Sequence, residues 1–535
     1  MAARRHVLDG TIAALVALAG YRLCLGPARL GFDLGSDLFF YGGYAVAKGA
    51  RPFVDFLSGY GAPMFLIQGL VTALFGPSFD IYLIHTAVWN GLFAAMAYGF
   101  LRLLGFGPFA AGLYALGTGV LFYGPVGYLH PDKVSYPFFL GALLLQMLAL
   151  KPRWAGRVAW LYGLAALLAL TGLVCKLNPA VLYPLALAVP FLFLSRAGRW
   201  AAAKGILVTL IGLALALGLA EAWVPGFARD LVYYAFALPL SVGAERMQAG
   251  WSIAKLGTYA SYPTLYLMMA TGLAALVAAG SDLARLAQAE TRRAVLMPLG
   301  LGLAFSVIAL FHVTHIAQPM PGQLTLVLLA LGAFHVVLEK SLPSENGRRA
   351  LAALLLGFTA LGLSEFHRQH VRFRVTVFDN VTPGKPGPVG GLGVKGLEKI
   401  AFVPAANFPE RFVEDFQATV AALAGLDGQV FLFALPAQYY VFAGKAPLLP
   451  SWSLVFPGHA TPPVGTAAEA RLAERLLANL IRHRVRYVAA PATAERALAL
   501  PVCDWQAAGP IRIGRLCAAL TAQDRDVALA LMRME

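Results

Sequence analysis

Apolar runs long enough to cross a bilayer recur from residue 8 to residue 366, and nothing constrains the fold of this chain more. They fall at about 8–27, 80–101, 107–127, 133–150, 156–174, 178–194, 203–223, 263–280, 295–314, 320–338 and 349–366. A hydrocarbon core about 30 Å thick takes about 20 apolar helical residues to span, so about eleven transmembrane helices are expected. With 59% hydrophobic and 13% charged residues and a mean hydropathy of +0.68, this reads as an α-helical polytopic membrane protein. The net charge of +15 resembles a nucleic-acid footprint. Its Lys and Arg residues, however, come in small clusters between apolar runs, with no basic tract and no interleaved aromatic patch, which argues against nucleic acid as a partner.

The run 61–76 (GAPMFLIQGLVTALFG) is the ambiguous segment, and charge arbitrates. If it lies along the surface, 15 of the 24 Lys and Arg of residues 1–366 share one side. If it crosses, 7 stand inside against 17 outside. The excess of cations in cytoplasmic loops favours the surface reading, with the N-terminus in the cytoplasm. The N-terminal run resembles a signal peptide but has no Ala-x-Ala site, so it reads as an anchor.

Three parts are expected. Residues 1–366 form the membrane domain, and 367–394, rich in Gly and Pro, form a linker. Residues 395–535 form a small α/β domain with helices at 410–424 and 467–483 and strands at 430–436 and 485–491. An odd number of crossings places that domain outside. Of the four cysteines, Cys24 and Cys175 sit in apolar surroundings. Cys503 and Cys517 pair if the tail meets an oxidising compartment, and stay thiols if it does not.

The stretch Gly31–Pro63 (GFDLGSDLFFYGGYAVAKGARPFVDFLSGYGAP) carries Asp33, Asp37 and Asp55, three of only fourteen acidic residues in the first 366. Carboxylates are costly beside a bilayer and mark function there. The same topology puts Asp132, Lys176, the 225–262 loop, His312 and His315 on the outer side as well. An outer carboxylate can take a proton from an acceptor hydroxyl or amine; equally, Asp37 can cap a helix over 38–49, and Asp132 can cap or pair with Lys133. Lys176 can snorkel to lipid phosphate or hold the phosphate of a lipid-linked substrate. Arg246 is a further contact to phosphate or sugar in a loop that also reads as an aromatic interfacial helix. His312 and His315, three apart, share one helical face; without a third ligand they read as pocket hydrogen-bonders, and a divalent metal stays an open option. No other cofactor is called for.

Taken together, these residues resemble the GT-C class of membrane glycosyltransferases. The features are an outer Asp followed by Tyr four later (Asp37, Tyr41) and a Gly-x-x-Pro-aromatic-x-Asp-Phe string (Gly49, Pro52, Phe53, Asp55, Phe56). A Leu-Phe-Gly ending (Leu74 to Gly76) closes the interfacial helix. Asp132, with His130 beside it, resembles the second acidic position of the lipid A aminoarabinose and protein O-mannosyltransferase branches. Lys176 falls on the lysine those branches place at the start of a later span. His315 before Pro319 and Pro321 resembles their His-aromatic-x-x-Pro string, with Ile316 replacing the aromatic. The chain departs at Leu38, where many members carry Glu, and around Tyr60–Pro63, where the aminoarabinose branch has a lysine.

The resemblance implies an inverting transferase in a bacterial inner membrane with a periplasmic tail. It would move a sugar from a polyprenyl-phosphate donor to a glycan, lipid or protein acceptor. Asp37, Asp33 and Asp132 would be the catalytic carboxylates, Lys176 and Arg246 the phosphate ligands, and Tyr41, Asp55, His130 and His315 pocket residues. The alternatives are a lipid or glycan transporter or flippase, which predicts ionisable groups deep in spans, and a polymerase or ligase of lipid-linked glycans.

Overall fold

The computed structural model describes residues 2–29, 38–55, 62–123, 127–129, 133–240, 263–281, 288–315, 324–342, 344–379, 389–390, 394–397, 401–402, 412–433, 435–447, 464–494 and 502–532. The chain divides into two compact units. The first gathers Met1–Ala28, Thr86–Leu219 and Gly243–Val375; the second gathers Arg29–His85, Ala220–Val242 and Thr376–Glu535.

Each run expected to cross contains a helix among the described residues. The helices are α1 (Ala2–Ala28), α2 (Leu38–Ala47), α3 (Ala62–Phe75), α4 (Phe79–Leu104), α5 (Pro108–Leu121), α6 (Tyr136–Ala149) and α7 (Val158–Cys175). They continue with α8 (Leu177–Ala180), α9 (Tyr183–Leu192), α10 (Arg196–Trp223), α11 (Phe227–Val232), α12 (Pro263–Ser281), α13 (Ala289–His315), α14 (Leu324–Ser341) and α15 (Glu345–Asp379). Among the described residues, 7 helices are long and apolar enough to cross a membrane. Helix length therefore does not establish eleven crossings. At 1.5 Å per residue, the 14 residues of α5 and of α6 reach only about 21 Å. The surface candidate α3 has the same length, so length does not separate it from them.

In the first unit, α14 is the centre. Every side chain from Leu324 to Leu338 is buried, and its histidine is satisfied: His335 Nδ1 lies 3.1 Å from Tyr114 Oη. By contrast α10 shows its apolar residues outward, with Val208 69%, Leu215 65% and Leu219 73% exposed. A helix whose leucines face away from protein is stable where the solvent is lipid. Asn90 ties α1, α4 and α5 together. Its Nδ2 donates to Gly20 O (2.7 Å) and Gly119 O (2.9 Å), and its Oδ1 accepts from Tyr123 N (2.8 Å). The crossing needs glycine, since a Cβ on Gly91 would sit 2.6 Å from Ala17 O.

In the second unit, α2 and α3 pack as a hairpin through small residues. A Cβ on Gly43 would meet Gln68 Cγ at 2.2 Å, and one on Gly69 would meet Val46 at 2.4 Å. The tail supplies α16 (Phe412–Ala424), β3 (Gln429–Leu432), α17 (Gln438–Phe442), α18 (Ala467–Arg482), β4 (Val485–Pro491), β5 (Val502–Ala508), β6 (Ile511–Leu516) and α19 (Arg525–Met532), after the short pair β1 (Val389–Gly390) and β2 (Ala401–Phe402). Its four-stranded sheet has the order β3-β4-β6-β5, parallel between β3 and β4 and antiparallel elsewhere. Helix α18 begins where Thr466 Oγ1 accepts from Glu469 N (3.3 Å), while the Glu469 carboxylate reaches back to Gly465 N (2.7 Å). It buries Leu472, Leu476 and Leu480.

Cys503 and Cys517 form a disulfide between β5 and the residue after β6. A bridge over 14 residues stabilises by about 3 kcal/mol through the unfolded chain. Both cysteines are therefore expected to resist alkylation until the protein is reduced, and Cys503→Ser should lower the melting temperature of the tail. Alkylation of both in unreduced protein purified from cells would show that the bridge does not form there.

Candidate functional site

Within the second unit, the segment Arg51–Asp55 is held by side chains of α18 at positions i, i+4 and i+7. Arg475 Nη1 donates to the carbonyls of Phe53 (2.9 Å) and Val54 (3.1 Å). Asn479 Nδ2 donates to Asp55 O (3.0 Å), and Arg482 Nη1 to Asp55 Oδ1 (3.1 Å). Those spacings put the three residues on one face of a helix, beside the face that buries Leu472, Leu476 and Leu480.

The segment is shaped to accept this clamp. Asp55 Oδ2 takes Arg51 N (2.8 Å) and Arg51 Nε (2.9 Å), closing a turn. Phe53 sits at φ 63, a left-handed conformation that a bulky residue adopts only when its surroundings hold it. Its ring is buried and lies 6.4 Å from Phe227 at 87°. Arg475 also pairs with Asp230 of α11, a carboxylate only 2% exposed, which has Arg229 Nε at 3.4 Å as a second partner. One guanidinium thus joins the segment after α2, helix α11 and helix α18.

Burial pushes the Asp55 carboxyl up, but the hydrogen bonds from Arg51 and Arg482 outweigh it and hold it below the usual 3.8. A depressed carboxylate adds stability above its unfolded pKa and loses it as pH falls through the folded value. The contribution of Asp55 is accordingly complete at neutral pH and disappears only below the ordinary aspartate range. A carboxylate so engaged holds structure and is a poor proton acceptor.

Next to the clamp is a cavity of about 400 Å³, bounded by the end of α2, the residues after it, the loop after α17 and the end of α18. Tyr44, Lys48, Asp55, Gln429, Arg482 and His483 supply its polar surface. Tyr44 Oη donates to Lys445 O (2.9 Å), and Lys48 Nζ lies 5.6 Å over the Tyr44 ring. Burial, then the neighbouring Arg482, pulls the His483 imidazole below its usual 6.5, so it is neutral at pH 7.

The residues singled out from sequence divide between the units. Asp33, Asp37, His130, Asp132 and Arg246 all lie outside the described residues. Helix α2 starts at Leu38, so the capping alternative for Asp37 is untested as well. Tyr41 is fully buried in α2 and stacks on Tyr440 with centroids 5.8 Å apart. Lys176 follows α7 with an extended backbone, φ −163 and ψ 117. His315 ends α13, and its side chain lies outside the description; His312, one turn earlier, has Nδ1 2.6 Å from Tyr136 Oη. Arg475, Asn479, Arg482 and His483 belong to no motif that marks them in the sequence. The 475/479/482 spacing is legible as one face, but nothing in the local pattern names the partner it grips.

No family model matches the chain, and no curated protein matches it in sequence. Among solved structures it is similar to ArnT from Cupriavidus metallidurans bound to undecaprenyl phosphate, with TM-score 0.52 and 14% identity over 96% of this chain and 98% of that one. A weaker likeness is to an oligosaccharyltransferase from Archaeoglobus fulgidus in complex with zinc and sulfate, with TM-score 0.44 and 11% identity over 90% of this chain and 68% of that one. Only the former bears on the fold. The chain has a GT-C-like fold, as its motifs led us to expect.

Removing Arg475 isolates the buried Asp230 carboxylate, which typically costs about 3–5 kcal/mol, with Arg229 nearby favouring the lower end. Arg475→Met should therefore lower the unfolding midpoint strongly, and Arg475→Met with Asp230→Leu should recover most of the loss. Thermal unfolding followed by tryptophan fluorescence reads both. A single variant as stable as wild type would mean the clamp does not hold the segment.

Proposed function

We propose that this protein is a membrane glycosyltransferase that moves a sugar from a polyprenyl-phosphate carrier to an acceptor outside the cytoplasm, with inversion. The observation that carries this reading is a likeness of fold over nearly the whole chain to a protein crystallised with undecaprenyl phosphate. The short motifs around Asp37, Asp132 and Lys176 support it independently of the fold. We place the transfer machinery in residues 1–366 and assign 395–535 to a periplasmic domain that shapes the acceptor side, joined by 367–394. The Cys503–Cys517 bridge supports that placement, since such bridges persist in oxidising compartments. The positive-inside count supports an N-terminus in the cytoplasm of a bacterial inner membrane.

In this reading a carboxylate, Asp37 assisted by Asp33 or Asp132, takes the proton of an acceptor hydroxyl or amine. The freed lone pair attacks the anomeric carbon from the face opposite the leaving group. The bond from that carbon to the phosphate oxygen breaks, and its electron pair leaves on the polyprenyl phosphate. Lys176 and Arg246 stabilise the charge that builds there. Tyr41, His130 and His315 belong to the surrounding pocket. Asp55 is assigned to holding the loop and not to proton transfer, given its ion pairs.

Sugar transfer in membranes carrying wild type, Asp37→Asn or Asp132→Asn, with a panel of polyprenyl-phosphate sugars as donors, tests the assignment. Asn keeps the shape and the capping oxygen but cannot accept a proton. Loss of a proton acceptor is expected to slow turnover by about 10²–10⁴-fold in Asp37→Asn at unchanged protein level. A donor turned over equally by all three proteins would remove these carboxylates from the active site.

A further inference from the structure

We propose that the cavity between the end of α2 and the end of α18 binds an anionic saccharide, a sugar ring carrying a phosphate or a carboxylate. Its size, about 400 Å³, lies within the range of sites for small molecules. Its charge is one-sided. Lys48 and Arg482 line it, Asp55 is the one carboxylate among its described lining residues, and both Asp55 oxygens are already engaged by Arg51 and Arg482. The Arg482 contact uses Nη1, and a guanidinium has five N–H groups in a planar fork suited to phosphate or carboxylate. Lys48 makes no side-chain hydrogen bond among the described residues, and its ammonium rests over the Tyr44 ring.

Neutral groups that suit sugar hydroxyls stand beside these cations. Gln429 Oε1 accepts from Ala446 N (3.2 Å), which fixes that side chain by its oxygen and leaves the NH₂ end to donate. His483 lines the cavity without a side-chain hydrogen bond among the described residues.

A simpler account is that cations gather here only to complement two helix C-termini. Those ends carry about half an elementary negative charge each. The carbonyls of Tyr44, Ala45 and Val46 in the last turn of α2, however, are already met by Lys48 N, Ala50 N and Gly49 N at 2.9–3.0 Å, and α18 is closed by His483 N to Asn479 O (3.0 Å). Capping therefore accounts for neither Lys48 nor His483 pointing into a common space.

The test needs no turnover, so its outcome is separate from that of the transferase assignment. Purified full-length protein in phosphatidylcholine nanodiscs is titrated with glucose 1-phosphate, glucuronic acid, glucose and inorganic phosphate by calorimetry. Both charged sugars should bind wild type at least about tenfold more tightly than glucose or inorganic phosphate do. Lys48→Gln with His483→Gln, which breaks no hydrogen bond of the fold, should weaken charged-sugar binding about tenfold with an unchanged melting temperature, as for the loss of a charge-assisted contact. Glucose binding as tightly as the charged sugars would remove the anionic half of the proposal. Inorganic phosphate binding as tightly would remove the saccharide half. Full charged-sugar binding by the double variant would place that binding elsewhere and overturn the site.

Discussion

A bilayer offers no water to an unpaired polar group, and the first unit is arranged around that fact. Asn90 stands fully buried on α4, where an unsatisfied amide would be costly. Its three hydrogen bonds turn that liability into the joint of α1, α4 and α5. His335 on α14 is dealt with in the same way, against Tyr114 of α5, and His312 on α13 sets its Nδ1 against Tyr136 of α6. The glycines at these crossings serve the same end, since dispersion and hydrogen bonds hold helices together in lipid only when the backbones come close.

In the second unit a different interaction dominates. A single guanidinium, Arg475, reaches three segments that are far apart in sequence, and the aromatic contacts of α2 with α17 add a dry seam beside it. This gives the motif around Gly49–Phe56 a meaning distinct from catalysis. Asp55 and the carbonyls of Phe53 and Val54 are the surface that α18 grips. Phe53 adopts its left-handed backbone because both sides of the turn are held. Within this unit the segment Arg51–Asp55 is thus anchored by α18 of the tail.

Helix positions were legible in the chain because apolar length and period suffice to set them. The runs at 203–223 and 320–338 hold α10 and α14, and in the tail the strand expected at 485–491 and the helix expected at 467–483 appear as Val485–Pro491 and Ala467–Arg482. Strands β5 and β6 went unread. Their segments, VCDWQAA and IRIGRL, mix polar and apolar residues in runs of six or seven, and the chain bulges between Cys503 and Gln506. Pairing of β6 with β4 and of β5 with β6 gives them their identity, and pairing is not a local property.

The candidate site divides along the same line. That carboxylates, cations and histidines are few in an otherwise apolar chain is legible in the sequence, and a bilayer tolerates such groups only where they are used or paired. Which of them are paired is a matter of distance alone. Asp37 and Asp55 look alike on paper, and only folding brings Arg482 to Asp55 from 427 residues away. Spacing along a helix could show that residues 475, 479 and 482 share a face. It could not say what that face would hold, because the strength of each contact depends on a partner chosen by the whole fold.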